Sequence, residues 1–300
     1  MTPAIEIRDL HVAYRRKDGQ AVEAVRGLNL QIHPGEVVGF LGPNGAGKSS
    51  TLKALMGFVQ PKSGECLVFG EPSWTESSRR RIGYLPEVAM YYPHLTPLET
   101  LTLYGELQGL RGASLRREAT ELLRLVGLTA SLKTLNRQLS KGMLQRVGIA
   151  QSLLGNPDLL ILDEVTSGLD PLGRQELRTI IQDKQEQGTT VFFSSHELAE
   201  VEMLCDRIIV IHQGQLVEER LVSRLKDGLR KFTLTYRGDL IGVRALTDAT
   251  NGVTTASFDS KEGLVAALNQ ASNDNVEIID VVTQEGSLAD YFIETIREAA

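Results

Sequence analysis

A glycine-rich run containing a lysine and two serines is the part of this sequence whose chemistry is most clearly specified. The run consists of Gly42, Pro43, Asn44, Gly45, Ala46, Gly47, Lys48, Ser49 and Ser50. Its first eight residues fit the pattern G-x-x-x-x-G-K-[ST], in which backbone N–H groups surround phosphate oxygens. In that pattern Lys48 reaches the β- and γ-phosphates and the Ser49 hydroxyl binds Mg²⁺. The run therefore predicts a nucleoside triphosphate site that uses Mg²⁺.

Two other apolar runs end in side chains that suit phosphate chemistry. The acid pair Asp163 and Glu164 follows the run 159–162, and His196 follows the run 190–193 after two serines. We expect Asp163 to hold Mg²⁺, Glu164 to take a proton from an attacking water, and His196 to contact the γ-phosphate or orient that water. Taken singly, such an acid pair is better explained as a helix-start cap, and such a histidine as a satisfied polar residue. Together with the glycine-rich run they favour a catalytic interpretation.

The elements that must position these groups are strands and helices in alternation. The apolar run 36–41 leads into the glycine-rich loop, and the residues 50–58 after it are predicted to form a helix. Continuous apolar strands separated by helices indicate a parallel sheet that is buried on both faces. Ligands of such sheets bind beyond the carboxyl ends of the strands, so the three groups are expected at one crevice of an α/β fold.

Composition agrees with a globular protein and argues against a nucleic-acid partner. The chain has 300 residues, 42% of them hydrophobic, and a formal net charge of −6. Its first residues lack the pattern of a signal peptide, and no run has the length of a membrane span, so a cytoplasmic protein is expected. Cys66 and Cys205 are far apart, without the spacing of a zinc or redox motif, and are expected to be buried thiols.

A further motif brings a family resemblance. The segment 139–146, which reads LSKGMLQR, resembles the LSGGQ-x-QR signature of ATP-binding-cassette (ABC) ATPases. The segment 164–171 resembles the acid pair and D-loop of that family, and 82–87 resembles its Q-loop. His196 falls at the position of the switch histidine, and Tyr14 at the aromatic position on which the family stacks adenine. The resemblance covers roughly the first three quarters of the chain.

The resemblance implies a P-loop NTPase cassette that hydrolyses ATP. In such a cassette residues 1–228 would form the ATP-binding domain, with a helical subdomain at about 88–155. A second ATPase subunit would associate head to tail, so that each nucleotide also meets the signature of the other chain. The signature and D-loop residues that would take part are Ser140, Lys141, Gly142, Met143 and Asp170.

Three of the motifs depart from the family pattern. Glu87 stands at the Q-loop position where glutamine is commonest, and as a carboxylate it would still be a ligand for Mg²⁺ or the attacking water. Lys141 and Met143 replace a glycine and a glutamine of the signature, while Ser140 is retained at the expected helix start. Val165 replaces a proline ahead of the D-loop. The sequence predicts a working site despite these changes.

The LSKGM form, the Pro86-Glu87 pair and the segment 91–101 resemble the branch that serves exporters of drugs, lipids, polysaccharides or ions. That branch implies a transmembrane permease as a separate partner, and a location at the inner face of the cell membrane through that permease. The segment from Glu87 to about Thr100 is expected to dock the permease, with Tyr91 and Tyr92 either exposed for docking or packed locally. The alternative is a soluble ABC ATPase that acts as a nucleotide-driven clamp on a non-transport partner. The acidic charge and the form of the tail are against it.

The last quarter of the chain predicts a small α+β accessory domain at 229–300, after a helical stretch at 219–226. Its predicted elements are strands at 231–236, 253–258 and 276–283 and helices at 261–271 and 287–297. Residues 287–293 resemble the tail motif of accessory domains on exporter-type ATPases. Regulation or a dimer contact, and a passive stabilising role, are both compatible with this pattern.

Overall fold

The computed structural model describes residues 2–15, 20–195, 198–228, 231–238, 240, 245–250, 253–258, 260–274, 276–284 and 288–298. Contacts divide these residues into two compact units, one up to Arg220 and one spanning Leu221–Glu298. The division falls just before the helix Val222–Gly228, at whose end the sequence predicts the domain boundary.

The elements up to Leu221 alternate between strands and helices. In chain order they are β1 (Ile5–Arg15), β2 (Ala21–Ile32), β3 (Val37–Leu41), α1 (Lys48–Leu55), β4 (Ser63–Val68), β5 (Glu71–Pro72), α2 (Glu76–Arg80), β6 (Ile82–Leu85), α3 (Pro97–Leu107), α4 (Gly112–Leu125), short 3₁₀ turns at Thr129–Ser131 and Asn136–Gln138, α5 (Lys141–Ser152), β7 (Leu159–Asp163), α6 (Pro171–Glu186), β8 (Thr190–Ser194), α7 (Leu198–Leu204), β9 (Arg207–His212) and β10 (Gln215–Leu221).

A six-stranded sheet with the order β10-β9-β3-β8-β7-β6 forms the centre of the first unit. β3 pairs in parallel with β8 and β9, and β7 pairs in parallel with β6 and β8. Every residue of β3, β7 and β8 is buried, because helices and a second sheet cover both faces. The predicted parallel-sheet α/β fold is therefore confirmed.

A second sheet, with the order β2-β1-β4-β5, is antiparallel. Its inward side chains share one hydrophobic core with the parallel sheet and α1, to which Leu10, Val25, Phe40 and Leu52 contribute. Burial of this apolar surface supplies the main stabilisation of the unit. The loop between β3 and α1 is thus anchored at both ends in this hydrophobic core.

Three helices, α3, α4 and α5, pack on one another in the region where the helical subdomain is predicted. α3 begins with a capping box in which Thr96 and Glu99 bond reciprocally, and these bonds from Thr96 hold the pKa of Glu99 below its ordinary value. The buried Asn136 amide donates to the Thr100 hydroxyl at 2.8 Å and to the Tyr92 carbonyl at 3.0 Å. These bonds fix α3 to the turn that precedes α5.

The second unit continues with α8 (Val222–Gly228), β11 (Lys231–Arg237), β12 (Ala245–Thr250), β13 (Val253–Phe258), α9 (Lys261–Asn273), β14 (Glu277–Gln284) and α10 (Leu288–Glu298). Its antiparallel sheet has the order β12-β13-β11-β14. α9 covers one face of this sheet, with Leu264 and Ala267 in the same buried cluster as Leu234 and Ala256. The sequence did not indicate β12.

Two element boundaries differ from the prediction by three residues. Residues 219–221, expected to be helical, lie in β10, where Glu219 forms an ion pair with Arg207 of β9. That cross-strand pairing outweighs the helical pattern, and the helix α8 starts only at Val222. The helix predicted at 50–58 ends at Leu55, because Gly57 takes a positive φ of 68° and terminates it.

Candidate nucleotide site

The glycine-rich run forms the predicted loop between β3 and the start of α1. Gly47 is the N-cap of α1, and Lys48 is its first residue. The Ala46 N–H donates to the Pro43 carbonyl at 3.1 Å, and the Thr51 hydroxyl donates to the Gly47 carbonyl at 3.0 Å. The N–H groups at a helix start carry partial positive charge, so this loop presents the donor set that a phosphate group requires.

Two glycines are needed for this geometry. Gly47 has a φ of 110°, and a Cβ at this position would lie 2.5 Å from the Ala24 carbonyl oxygen of β2. A Cβ on Gly42 would lie 2.4 Å from the Ile211 carbonyl oxygen of β9. Neighbouring backbone therefore encloses the loop on two sides, and only glycine fits at these positions.

Lys48 is buried in the loop, with a relative exposure of 7%. Its Nζ donates to the Gly42 carbonyl at 2.6 Å and lies 3.5 Å from the Pro43 carbonyl. The ammonium group is therefore fixed inside the loop whose anion it would bind. Ser49 and Ser50 follow at the start of α1 and are half-buried.

Asp163 and Glu164 are joined by one serine of the neighbouring strand. The Ser194 hydroxyl of β8 donates to Asp163 Oδ1 at 2.5 Å and accepts from the Glu164 N–H at 3.1 Å. Both acids are buried, with relative exposures of 4% and 8%. Glu164 has a positive φ of 51°, so the chain turns sharply just after β7. A fixed turn and a hydroxyl shared between two acids give both residues defined positions.

The sheet order brings these groups to one edge. Ser194 of β8 is in register with Phe40 of β3 on one side and with Asp163 of β7 on the other. Adjacent strands lie about 5 Å apart, so the ends of β3 and β7 are roughly 10 Å apart. The loop after β3 and the acids after β7 thus face the same crevice, as expected for a parallel sheet.

Glu87 lies on the other side of Asp163. β6 pairs with β7 so that Leu85 is in register with Leu162, and the exposed Glu87 follows two residues later. Tyr84 of β6 is close enough to Asp163 that burial, together with the charge of that acid, raises its pKa to about 12. Glu87 is therefore in the loop that flanks the Asp163 end of the sheet.

Tyr14 lies near the end of β1 and is 38% exposed. It is in register with Val22 of β2, two residues before Ala24, whose carbonyl borders the glycine-rich loop. The aromatic ring is thus on the strand next to the one that contacts the loop. Its predicted stacking against a base stays a prediction.

The signature segment is at the start of α5. Ser140 is the N-cap of that helix, and its hydroxyl accepts from the Met143 N–H at 3.2 Å. The Lys141 ammonium lies 3.4 Å from the Ser167 hydroxyl, and a Cβ on Gly142 would lie 2.9 Å from the Gly168 carbonyl. Within its own chain the signature therefore packs against the segment that leads into the D-loop.

Two residues of the segment 139–146, Gln145 and Arg146, bond the turn after β7 and the helix α6, although sequence analysis assigned them no role of their own. The buried Gln145 amide donates to the Val165 carbonyl, next to Glu164, at 2.9 Å. The Arg146 guanidinium bonds Glu176 of α6 at 2.5 Å and the Val126 carbonyl at 2.8 Å. α5 is therefore tied both to the turn after β7 and to α6.

Asp170, in the D-loop, is the N-cap of α6. Its carboxylate accepts from the Gly173 N–H at 2.9 Å. The predicted contact of Asp170 with nucleotide stays a prediction.

His196 lies outside the described residues, so its predicted role stays a prediction. Ser194, which bonds Asp163 and the Glu164 N–H, is a side chain of the candidate site that sequence reasoning passed over. The sequence did carry a signal for Ser194, because a polar serine ends a strand that is otherwise mostly apolar and buried.

Both cysteines are buried, as expected, and burial raises the pKa of Cys66 to about 12 and that of Cys205 well above its ordinary value.

The donor set fits a nucleoside triphosphate with Mg²⁺. Phosphate oxygens require N–H donors and a cation, which the loop 42–48 supplies. Mg²⁺ requires a small number of oxygen ligands and keeps several waters, and the hydroxyl of Ser49 and the carboxylate of Asp163 are such ligands. The fit rests on these groups alone.

No helix of the described residues is both long and apolar enough to cross a membrane.

Comparisons with known proteins agree with this chemistry. A family model described as ABC transporter matches residues 25–167. The bacitracin transport ATP-binding protein BcrA of Bacillus licheniformis is 35% identical over 99% of this chain and 98% of its own length. The linearmycin resistance ATP-binding protein LnrL of Bacillus subtilis is 33% identical over 96% of this chain and 97% of its own length.

A solved structure gives the same result for the fold. The dimeric, post-hydrolysis structure of the ATP-binding cassette MJ0796, bound to ADP and Pi, has a TM-score of 0.67 and 27% identity to this chain. It covers 73% of this chain, and this chain covers 98% of it. The glycine-rich loop, the acid pair, the signature and these relatives together show that the chain belongs to the ABC transporter family, as an ATP-binding subunit with ATPase activity.

Proposed function

We propose that this chain energises export through a separate transmembrane permease, by ATP-driven closure of two ATPase subunits head to tail. The names of the relatives support export, since BcrA is a bacitracin transport protein, LnrL a linearmycin resistance protein, and another relative a fluoroquinolones export protein. The dimeric form of the MJ0796 cassette supports pairing of the subunits. The cargo class favoured by these names is drug-like or antibiotic molecules.

The observation that carries the proposal is that the start of the signature is exposed and makes no side-chain hydrogen bond to the glycine-rich loop of its own chain, among the described residues. Ser140 and Lys141 are at the start of α5, where Lys141 is exposed. Among the described residues, the side-chain hydrogen bonds of segment 140–143 go to the segment itself and to Ser167, and none goes to the glycine-rich loop. A helix start with a serine N-cap is suited to a phosphate group presented by another molecule. The nucleotide of a second ATPase subunit is that partner.

In this proposal the first chain holds most of the nucleotide. Lys48 and the N–H groups of 42–48 bind the phosphates, and Tyr14 stacks on the base. Ser49 and Asp163 hold Mg²⁺, and Glu87 contributes a further oxygen from the adjacent loop. The metal ion supplies charge neutralisation for the phosphates during hydrolysis.

Glu164 is proposed as the base that accepts the proton of the attacking water. Its backbone N–H is held by Ser194 and the next carbonyl by Gln145, so the turn that carries it is fixed on both sides. A buried carboxylate on a fixed turn, here 8% exposed, has a defined position from which to accept a proton from a water beside it. His196 is proposed to orient the same water, on the strength of the resemblance.

Closure would join the signature of one chain to the phosphates held by the other. Asp170, at the start of α6, is proposed to line the same contact. Because the phosphates would then bridge the two chains, cleavage of the terminal phosphate removes contacts from both. Opening and closing of the pair would move the attached permease.

The groove between α3 and α4 is proposed as the docking site for the permease. It encloses about 710 Å³ and is lined by Tyr92, Leu95, Leu98, Leu103 and Arg116, among others. Tyr92 is 56% exposed, whereas Tyr91 is packed locally against Tyr104. Docking there would hold the chain at the inner face of the cell membrane, with no direct contact to lipid or nucleic acid.

A mixing experiment tests the composite site directly. Lys48→Ala disables the phosphate loop of one chain, and Ser140→Arg blocks the signature of another; each variant alone is expected to hydrolyse ATP at a background rate. In a mixed dimer one site carries both changes and the other carries neither. About half of the dimers are mixed and each has one intact site, so the mixture is expected to recover about a quarter of wild-type turnover. A mixture no more active than its components would exclude the head-to-tail arrangement.

A further inference from the structure

The helix α5 contacts both ends of the loop that carries Glu87, and it does so at one residue. A Cβ on Gly148 would lie 2.5 Å from Leu85 Cδ1, 3.0 Å from the Tyr91 hydroxyl oxygen and 3.6 Å from Ala89 Cβ. Leu85 is the last residue of β6, ahead of Glu87, and Ala89 and Tyr91 follow it. The loop therefore begins and ends on the same point of α5.

Gly148 is a glycine because of this contact and not because of its backbone. It lies inside α5 and is not among the residues of positive φ. In an ordinary helix interior alanine is preferred to glycine, because glycine loses more conformational freedom. The absent side chain leaves the space in which Leu85 and Tyr91 lie.

Tyr91 is held in this space on its other side as well. Its ring packs edge-on against Tyr104 of α3, with ring centroids 5.9 Å apart. Its hydroxyl is buried and has no hydrogen-bond partner among the described residues, and burial raises its pKa above the ordinary range. The packing of its ring, and not a hydrogen bond of its hydroxyl, therefore holds Tyr91 in this space.

The same face of α5 also supports the turn that carries Glu164. Gln145, three residues before Gly148, bonds the Val165 carbonyl at 2.9 Å. Residues three apart lie on one face of a helix. Ser140, at the N-cap of α5, is about 12 Å from Gly148 along the helix axis. One rigid helix thus connects the signature, the Glu164 turn and the Glu87 loop.

We infer that Gly148 and Tyr91 are positioning residues that hold the Glu87 loop at a fixed distance from the Glu164 turn. The inference rests on the proposed function for its consequence in hydrolysis, since it takes Glu87 to act at the metal or water. Its structural half, the anchoring of the loop on α5, stands apart from that proposal.

Gly148→Ala tests the anchoring in the full-length, nucleotide-free protein. Amide hydrogen exchange is followed in peptides that cover 85–92, with peptides of α1 as an internal reference. We expect exchange in the 85–92 loop to accelerate about tenfold and that of α1 to stay unchanged. Tyr91→Ala, which leaves the backbone of α5 untouched, is expected to release the loop in the same way. If both variants exchange at the wild-type rate in this loop, the anchoring is overturned.

Gly105→Ala is the matched control. Gly105 is another helical glycine, and the three atoms nearest to its Cβ would all belong to Leu115 of α4, the closest being Cδ1 at 2.2 Å. The substitution is expected to lower thermal stability while leaving exchange at 85–92 unchanged.

A double-variant cycle tests the contact between the two positioning residues. Tyr91→Phe removes the hydroxyl that the methyl group introduced by Gly148→Ala would crowd. The double variant Tyr91→Phe/Gly148→Ala should therefore exchange more slowly at 85–92 than Gly148→Ala alone. Purely multiplicative effects in this cycle would contradict the contact.

The positioning role is tested by turnover and nucleotide binding together. Gly148→Ala is expected to lower kcat about fivefold or more, with the dissociation constant for ATP changed less than about twofold. A released loop with wild-type kcat, in a protein where Glu87→Ala does lower kcat, would overturn the positioning role. If Glu87→Ala itself leaves kcat unchanged, the proposed role of Glu87 fails, and the exchange data still decide the anchoring.

Discussion

The serine at the end of β8 forms hydrogen bonds to both residues of the acid pair, Asp163 and Glu164. The Ser194 hydroxyl donates a hydrogen bond to Asp163 Oδ1 and accepts one from the Glu164 N–H. The orientation of this hydroxyl is therefore fixed. A donor to the Asp163 carboxylate keeps one oxygen occupied and leaves the other for a metal ion. Because both bonds satisfy its hydroxyl, the polar Ser194 is tolerated in β8, a strand in which every residue is buried.

Ser194→Ala is therefore expected to impair hydrolysis more than nucleotide binding. Loss of a hydrogen bond to a charged group is worth about 1.5 kcal/mol, which corresponds to about a tenfold lower kcat. Ser194→Thr keeps the hydroxyl and is expected to retain most of the activity. Steady-state phosphate release for both variants is the measurement, and wild-type kcat in Ser194→Ala would contradict the role assigned to this hydroxyl.

At the scale of elements, two strands each carry a group whose pKa is raised by burial in the folded protein. Burial, aided by the Glu65 charge, raises the pKa of Cys66 on β4 to about 12, and burial with the Asp163 charge raises that of Tyr84 on β6 to about 12. Their ordinary pKa values are 9.0 and 10.0. Both groups therefore stay protonated in the folded protein at a pH where the unfolded chain has released its protons.

The sign of the pH effect follows from this difference. Below about pH 9 both states are protonated and stability is unaffected by these groups. As pH rises from about 9 towards about 12 the unfolded chain ionises first, so the free energy of unfolding falls, by up to about 1.4 kcal/mol per pH unit for Cys66. Urea denaturation at several pH values is the measurement, with Cys66→Ala as the comparison. An equal slope in both proteins would contradict the buried thiol as its source.

The strands with continuous apolar runs were predicted closely. β3, β7 and β8 begin and end within one residue of the predicted bounds, because a strand buried on both faces must be apolar throughout. β12 was missed because its sequence Ala-Leu-Thr-Asp-Ala-Thr has no such run. The end of β10 was misjudged because the pairing of Glu219 with Arg207 is a cross-strand contact that local periodicity does not contain.

In the site, too, local motifs could be predicted from the sequence, whereas contacts between distant residues could not. The glycine-rich loop, the acid pair and the signature could be predicted because each is a contiguous motif whose chemistry needs those residue types. The contact of Gly47 with Ala24, the bond from Ser194 to Asp163 and the packing of Tyr91 on Gly148 join residues far apart in sequence. Such contacts follow from the fold, and their partners are not marked by any local pattern.

At the scale of the whole molecule, the chain is an ABC ATPase whose motifs lie on different elements of the first unit. The glycine-rich loop, Asp163 and Glu164 occupy one edge of the parallel sheet, and the signature stands at the start of α5. In the proposed function each chain offers two different halves of a nucleotide site. In the proposed arrangement activity is a property of a pair of chains, and its rate should depend on protein concentration.

The most direct test of this account is light scattering of the Glu164→Gln protein with and without Mg-ATP. The substitution keeps the size of the side chain and removes the proposed base, so ATP should bind and remain intact. We predict a monomer without nucleotide and a dimer with Mg-ATP, while wild type releases phosphate and forms no lasting dimer. A Glu164→Gln protein that turns over ATP at the wild-type rate, or that binds ATP and stays monomeric, would contradict the account.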